Sequence, residues 1–157
     1  MAHFRIWAPK AGRMEVSILG NSVPMTEEAG GWWWADVPGA GPGDDYTFAV
    51  DGGPPLPDPR SGWQPHGVSG PSRLVDHEAF RWTDHEFQAR PLSSALIYEL
   101  HVGTFTPEGT FEAVIGKLDH LRDLGVTHLE LLPVAEFPGR FGWGYDGVNL
   151  FAPTRLY

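Results

Sequence analysis

Aromatic residues and glycines alternate near the end of the chain, in a pattern that suits the binding of a flat sugar ring. The segment "WGYDGV" places Trp143 and Tyr145 on either side of a glycine, and Asp146 follows directly. Glycine lets the backbone approach a ligand closely, and an aromatic ring offers a flat apolar face. These three residues are therefore candidate substrate-binding residues. The alternative is structural, with both rings filling a core and Asp146 capping a turn.

Acidic side chains near predicted strand ends raise the question of glycosidic bond hydrolysis. That reaction uses two carboxyl groups on either side of the bond, roughly 5–10 Å apart depending on mechanism. The candidates are Glu99, Glu130, Glu136 and Asp146. Each also has a structural explanation as a hydrogen-bond partner, a surface charge or a turn cap, so the sequence identifies no catalytic pair.

His101 closes the apolar run in "YELHVGTF" and is the remaining candidate for substrate contact. It could equally be a hydrogen-bonded structural residue of the strand. The other histidines lack metal-binding spacing, cysteine is absent, and no phosphate loop or dinucleotide fingerprint occurs. We therefore expect neither a metal nor a cofactor.

Three consecutive tryptophans, Trp32 to Trp34, occupy a predicted strand. Successive strand side chains point to opposite faces, so Trp33 must face away from its two neighbours. One face has to be core. The other is either further packing surface or a platform for carbohydrate.

Charge and hydropathy favour a neutral ligand. The 157 residues carry a formal net charge of −9, which argues against nucleic-acid binding. No apolar run reaches the roughly 18 residues of a membrane helix, and the first residues do not resemble a secretory signal. Together with the absence of cysteine, these features lead us to expect a cytoplasmic protein.

The first half of the chain, residues 1–90, has the pattern of an antiparallel β-sandwich. Four short segments rich in strand-forming residues are separated by glycine, proline and aspartate turns. A further strand is predicted near residues 72–75. The loop 51–72 is too long for an ordinary connection, so we expect it to be functional or to pack as an ordered cover.

The second half, residues 91–157, changes to an α/β rhythm. Apolar runs at 95–102 and 126–132 predict adjacent parallel strands, and a helical stripe predicts one helix over 111–124 between them. The "WGYDGV" loop follows the second strand, where α/β folds place their ligands.

Four segments resemble the α-amylase superfamily of glycoside hydrolases. "FRIWAPKAGRMEV" is similar to the sandwich that precedes the catalytic barrel in branching, debranching and trehalose-forming members. "LPDPRSGWQPHGVSGPS", "IYELHVGTFTPEG" and "GWGYDGVNLFAP" together resemble the malto-oligosyltrehalose trehalohydrolases. The resemblance implies an immunoglobulin-like sandwich of the early-set type, followed by the first two βα units of a (β/α)8 (TIM) barrel.

The resemblance also implies a function. It implies the amino-terminal portion of a retaining hydrolase that releases trehalose from malto-oligosyl trehalose by cutting the α-1,4 bond next to the trehalose unit. Tyr145 would be the platform beneath the sugar whose bond is cut, and Trp143 and Asp146 would shape that subsite. The nucleophilic aspartate, the acid/base glutamate and an assisting aspartate are expected beyond residue 157, so the chain alone should be inactive.

Three alternatives and one consequence remain open. The sandwich could itself be an α-glucan-binding module, or it could only support the barrel; the chain could also be part of a branching or debranching enzyme. A barrel remnant would leave an open sheet edge and invite self-association. The surface expected to be exposed there comprises Leu129, Leu131, Leu132, Val148, Leu150 and Phe151.

Overall fold

Two antiparallel sheets form the first half of the chain in the computed structural model, which describes residues 1–157. The strands are β1 (Ala2–Trp7), β2 (Met14–Ile18), β3 (Asn21–Pro24), β4 (Thr26–Glu28), β5 (Trp32–Val37), β6 (Asp45–Val50) and β7 (Ser72–Arg73). One sheet has the order β1-β5-β4, and the other has the order β3-β2-β6-β7. The predicted sandwich is confirmed, including the additional strand near residue 72.

The sandwich core follows from side-chain alternation. Phe4 and Ile6 of β1, Val16 of β2, Trp33 of β5 and Phe48 of β6 are all buried in one cluster between the sheets. Because alternation has a period of two, slipping any strand by one residue would turn its apolar side chains outward. Each fully buried side chain of this size contributes about 1.5–3 kcal/mol.

The strands β3 and β4 were not predicted, because their sequences "NSVP" and "TEE" lack an apolar alternation. β3 is held by a two-residue hairpin whose ends, Ile18 and Asn21, pair across the sheet. Leu19 and Gly20 between them have φ of 54° and 75°. Two successive positive φ values are typical of the turn that matches strand twist in a tight hairpin.

The long loop after β6 packs as an ordered cover, which is one of the two alternatives expected from its length. Gln64 is fully buried and its amide donates to the carbonyls of Gly67 and Gly70, each at 3.2 Å. The Ser72 hydroxyl donates to Gln64 Oε1 at 2.7 Å, and the Tyr46 hydroxyl donates to Asp58 at 2.8 Å. Burial raises the pKa of Tyr46 far above its ordinary value, and the nearby Asp58 carboxylate adds to the rise.

The second half begins with a parallel pair, after a short 3₁₀ turn at Leu92–Ser94. Strands β8 (Ile97–Leu100) and β9 (His128–Leu131) pair in parallel with Ile97 opposite His128, so the predicted adjacency is confirmed. Between them lie helices α1 (Val102–Phe105), α2 (Phe111–Ile115) and α3 (Leu118–Asp123). Their inward side chains form a small core with Leu100.

The prediction of one continuous helix over 111–124 was wrong, because the helix is interrupted at Gly116 and Lys117. Glycine has a poor helix propensity, and both residues have ψ close to zero, so the turn tightens there. The predicted ends are right. The Thr110 side chain accepts a hydrogen bond from Ala113 N, and Gly125, with φ of 88°, ends the last helix.

The prediction of two βα units also needs correction. After β9 the chain forms an antiparallel pair, β10 (Ala135–Glu136) with β11 (Asn149–Pro153), where a second helix was expected. The residues that follow β9 are rich in glycine and proline, which do not support a helix. The structure therefore contains one complete strand–helix–strand unit.

Replacing Phe48 with alanine should lower the free energy of unfolding of the sandwich by about 3–5 kcal/mol, because a buried ring leaves a cavity. Urea unfolding followed by circular dichroism would measure the change. The matched control is Phe141→Ala, since that ring is 92% exposed and its loss should be nearly neutral. Equal effects of the two substitutions would contradict the assignment of the core.

Candidate functional site

A cleft of about 490 Å³ opens at the carboxyl ends of the two parallel strands. His101 directly follows β8 and Leu132 directly follows β9, so each strand delivers one residue to the cleft. The cleft is lined by His101, Gly103, Thr104, Leu132, Arg140, Phe141, Gly142, Trp143 and Tyr157. This is the edge at which parallel sheets place their ligands.

His101 connects the start of α1 to residues 137–148 between β10 (Ala135–Glu136) and β11 (Asn149–Pro153), called here the aromatic loop. Its Nε2 lies 2.9 Å from the carbonyl oxygen of Gly142 and 3.0 Å from the hydroxyl oxygen of Tyr157. Because a carbonyl only accepts, the first contact assigns the proton to Nε2. Nδ1 is then free to accept from the Thr104 hydroxyl at 3.4 Å. The imidazole is thus oriented at both nitrogens, as the structural reading of this residue predicted, and it still faces the cleft.

Tyr157 also lines the cleft, although the sequence analysis did not identify it as a candidate. Its ring meets the His101 ring edge to face at 5.4 Å, and burial raises the pKa of its hydroxyl. Its backbone oxygen accepts from Phe111 N at 2.8 Å, which fixes it beside α2. Gly103 leaves room for it, since a Cβ there would lie 2.6 Å from the ring. No motif surrounds Tyr157, so only the folded chain reveals its place.

The aromatic loop is closed by the β10–β11 pair. Glu136 and Asn149 are paired across the two strands, and Val148 N donates to the Glu136 carbonyl at 2.9 Å. The Glu136 carboxylate is fully buried, where it accepts from the backbone N–H of Arg155 at 2.9 Å and pairs with the Arg155 guanidinium. Glu136, one of the four candidate carboxylates, therefore has a structural role.

The other candidate carboxylates do not converge on the cleft. Glu99 and Glu130 stand opposite each other in the parallel register, and both are exposed. Asp146 is exposed on the aromatic loop. No aspartate or glutamate lines the cleft, and no cluster of three or more histidine or acidic side chains is arranged to hold a metal.

The structure brings two of the four predicted binding residues into one cleft. His101 and Trp143 line it, whereas Tyr145 and Asp146 lie further along the same loop, outside the lining. Trp143 is 79% exposed and Tyr145 is 71% exposed, so neither ring fills a core of this chain. Between them Gly144 is buried with φ of 91°, and a Cβ there would lie 2.2 Å from the Pro133 carbonyl oxygen. That close approach turns both flanking rings outward.

No family model matches the chain. Among curated proteins, it is 48% identical over 161 residues to a malto-oligosyltrehalose trehalohydrolase of Rhizobium sp. strain M-11, covering 98% of this chain and 27% of that protein. The counterpart from Mycobacterium tuberculosis strain H37Rv is 45% identical over 169 residues, covering all of this chain and 28% of the relative. A 1,4-α-glucan branching enzyme of Pseudoalteromonas atlantica is 33% identical, covering 98% of the chain and 24% of that enzyme.

Solved structures give the same result. An α-amylase-type protein from Salmonella typhimurium superposes with a TM-score of 0.93 at 43% identity, covering 99% of this chain and 26% of that one. A pullulanase from Paenibacillus barengoltzii superposes with a TM-score of 0.80 at 26% identity, covering 99% of this chain and 30% of the pullulanase.

The fold, the strand-end cleft and these relatives point to one class of protein: the chain is similar to the glycoside hydrolases of the α-amylase family. Within it, the predicted resemblance to the malto-oligosyltrehalose trehalohydrolases is confirmed along nearly the whole chain. The chain spans about a quarter of the length of the trehalohydrolases it matches. No helix in the structure is both long and apolar enough to span a membrane.

Substituting Gly144 with alanine should disorder the aromatic loop, because the new Cβ would collide with the Pro133 carbonyl. Hydrogen exchange of amides 137–148 should accelerate while the sandwich amides are unchanged. Gly139→Ala is the matched control. Gly139 also has positive φ, 95°, but a Cβ there meets nothing within 4 Å. Unchanged exchange in the Gly144 variant would show that the close approach does not hold the loop.

Proposed function

We propose that this chain is the amino-terminal portion of a retaining glycoside hydrolase that releases trehalose from malto-oligosyl trehalose. The bond cut would be the α-1,4 linkage next to the trehalose unit. The observation that carries the proposal is the match to trehalohydrolases over 98% of the chain at 41–48% identity, together with a cleft at the strand ends.

Within that function, the aromatic loop supplies a sugar platform. Trp143 forms one wall of the cleft and Tyr145 continues the exposed aromatic surface beyond it. Flat rings of this kind bind the apolar faces of sugar rings, and Asp146 would accept from sugar hydroxyls. His101 would present its imidazole edge to the substrate while Gly142 and Thr104 hold its orientation.

The cleavage step would need groups from outside this chain. Hydrolysis with retention takes two carboxyl groups about 5–5.5 Å apart. Since no acidic side chain lines the cleft, the nucleophile and the acid/base would come from later strands of a complete barrel. In that architecture β8 and β9 are the first two barrel strands. Residues 1–90 would then form the sandwich domain, and 91–157 the beginning of the barrel domain.

The isolated chain should release no trehalose from malto-oligosyl trehalose, because it lacks the carboxylate pair. It should nevertheless bind the substrate weakly, and Trp143→Ala should reduce that binding by up to roughly tenfold, as expected for the loss of one stacking ring. Product analysis and titration calorimetry would measure the two quantities. The control is Phe80→Ala, which removes an exposed ring that does not line the cleft. Trehalose formation in proportion to chain concentration would overturn the assignment.

A branching or debranching enzyme is the second candidate function, favoured by the relative from Pseudoalteromonas atlantica at 33% identity. The trehalohydrolases match at 41–48% over similar coverage, which is why they carry the proposal. Substrate choice would separate the two. If the protein recognises the trehalose end of its substrate, it should bind malto-oligosyl trehalose more tightly than a maltooligosaccharide of equal length. A branching enzyme should bind the two ligands equally.

The expected apolar edge is exposed on the second half of the chain. Five of its six predicted members are exposed, and Leu132 is half-buried in the cleft wall. An uncovered surface of this kind, beside a sheet of only two parallel strands, would favour association with another copy.

We expect Leu150→Lys to reduce self-association, because Leu150 is 73% exposed within this surface and a charge opposes its burial. Sedimentation velocity would compare the variant with the unchanged chain over a range of concentrations. A monodisperse monomer of the unchanged chain, with strongly protected amides from Val126 to Phe151, would contradict the prediction.

A further inference from the structure

Trp143 lies between two glycines whose backbones are in close contact with neighbouring groups of the chain. A Cβ at Gly142 would lie 2.8 Å from Phe137 Cε2, and Phe137 itself is only 2% exposed. On the other side, Gly144 approaches the carbonyl of Pro133 closely. The Trp143 ring is 79% exposed, so packing holds little of it. Its direction therefore depends on how firmly the backbone of the two glycines is held.

The carbonyl group of Gly142 accepts from two donors that come from different parts of the chain. The His101 Nε2–H donates to it at 2.9 Å, and the Tyr157 hydroxyl donates to it at 3.5 Å. A backbone carbonyl oxygen has two lone pairs, so it can accept both bonds. The Tyr157 hydroxyl oxygen also lies 3.0 Å from His101 Nε2. The three groups therefore form one closed hydrogen-bonded cluster, called here the Gly142 clamp.

The Tyr157 side chain is held in place for this contact by three separate neighbours. Its backbone oxygen accepts from Phe111 N at 2.8 Å, which holds the residue beside α2. Gly103 lets both rings of the clamp lie against α1, since a Cβ there would be 2.6 Å from Tyr157 Cε1 and 3.0 Å from His101 Cε1. The Tyr157 ring also packs on Phe137, with 6.3 Å between ring centres. A clamp supported in this way is formed before any ligand binds, which reduces the entropy lost on binding.

We propose that Tyr157 is a positioning residue for the sugar platform. Together with His101 it holds the Gly142 carbonyl, and it thereby fixes the direction in which the neighbouring Trp143 ring enters the cleft. The ligand follows from the proposed function, on which this inference rests: the ring would stack on a sugar of malto-oligosyl trehalose. The Tyr157 hydroxyl acts through Gly142 and needs no contact with the sugar. A binding group has to be held within a fraction of an ångström to be effective, and the clamp supplies that support.

A positioning role and a packing role for Tyr157 lead to different expectations. Burial raises the pKa of the Tyr157 hydroxyl, so the group keeps its donor proton at neutral pH. If Tyr157 only filled the space beside His101, a phenylalanine ring would serve equally well. If its hydroxyl holds the Gly142 carbonyl, the ring alone is not enough. The substitution Tyr157→Phe separates the two roles, because it keeps the ring and removes the hydroxyl.

The test compares Tyr157→Phe with the unchanged 157-residue chain, first without sugar. Hydrogen exchange of the aromatic-loop amides should accelerate by roughly fivefold, as expected for the loss of one neutral hydrogen bond, while the sandwich amides are unchanged. The order parameter of the Trp143 indole N–H, measured by NMR relaxation, should fall. Titration calorimetry with malto-oligosyl trehalose should then show binding weakened by about two- to fivefold. Circular dichroism would establish that the variant is folded.

Tyr98→Phe is the matched control, because it removes a tyrosine hydroxyl from β8 outside the cleft, where the ring packs on Phe105 at 5.9 Å. It should change neither loop exchange nor the order of Trp143. Unchanged loop exchange and unchanged Trp143 order in folded Tyr157→Phe would overturn the inference.

Two further outcomes separate the clamp from the proposed function. A loosened loop in a Tyr157→Phe variant that binds malto-oligosyl trehalose as tightly as the unchanged chain would also overturn the inference, because the platform would not need the clamp. If the unchanged chain bound no malto-oligosyl trehalose, the proposed function would fail. Loop exchange and Trp143 order, which are measured without sugar, would still decide whether Tyr157 positions the ring.

Discussion

The buried carboxylate of Glu136 constrains the arrangement of the whole second half. A charge with no exposure to water must be paired and hydrogen-bonded, and Arg155 supplies both its guanidinium and its backbone N–H. The pair joins β10 to the segment after β11, so the loop between these strands has fixed ends. Losing one partner of such a buried pair typically costs about 3–5 kcal/mol, because the other charge remains without compensation.

The same arginine connects the two halves of the chain. Its guanidinium lies against Gly67, since a Cβ at Gly67 would be 3.4 Å from Arg155 Nη1. Gly67 belongs to the ordered loop that the buried Gln64 side chain holds. Nearby, the guanidinium of Arg60 from that loop lies 5.7 Å from the centre of the Phe151 ring on β11. The loop between β6 and β7 therefore packs against the second half of the chain, which fixes the orientation of the cleft relative to the sandwich.

In two places of the structure, a buried residue lies between two aromatic side chains that point outward. In the cleft loop Gly144 is buried and directs Trp143 and Tyr145 to solvent. In β5 Trp33 is buried and directs Trp32 and Trp34 to the opposite face of the sheet. The first case depends on a close backbone contact and the second on strand alternation, but each exposes flat rings on a rigid support.

The sequence by itself determined the sandwich, the parallel pair and the caps of the helical segment, because these depend on local periodicity and on turn chemistry. It also marked His101, Trp143, Tyr145 and Asp146, through residue type and the position of their loop after a strand. It could not find the hairpin strand β3, whose pairing is set by a turn, nor the break at Gly116, where local geometry overrides a continuous apolar stripe.

Only the tertiary structure decided what the polar residues do. Glu136 and Glu99 looked alike as candidate carboxylates, yet one is buried against Arg155 and the other lies exposed beside Glu130. Tyr157 joined the cleft through contacts with His101, 56 positions away in the chain. Such roles depend on which groups meet across long sequence separations and on how much water remains around them, and neither quantity is encoded in local pattern.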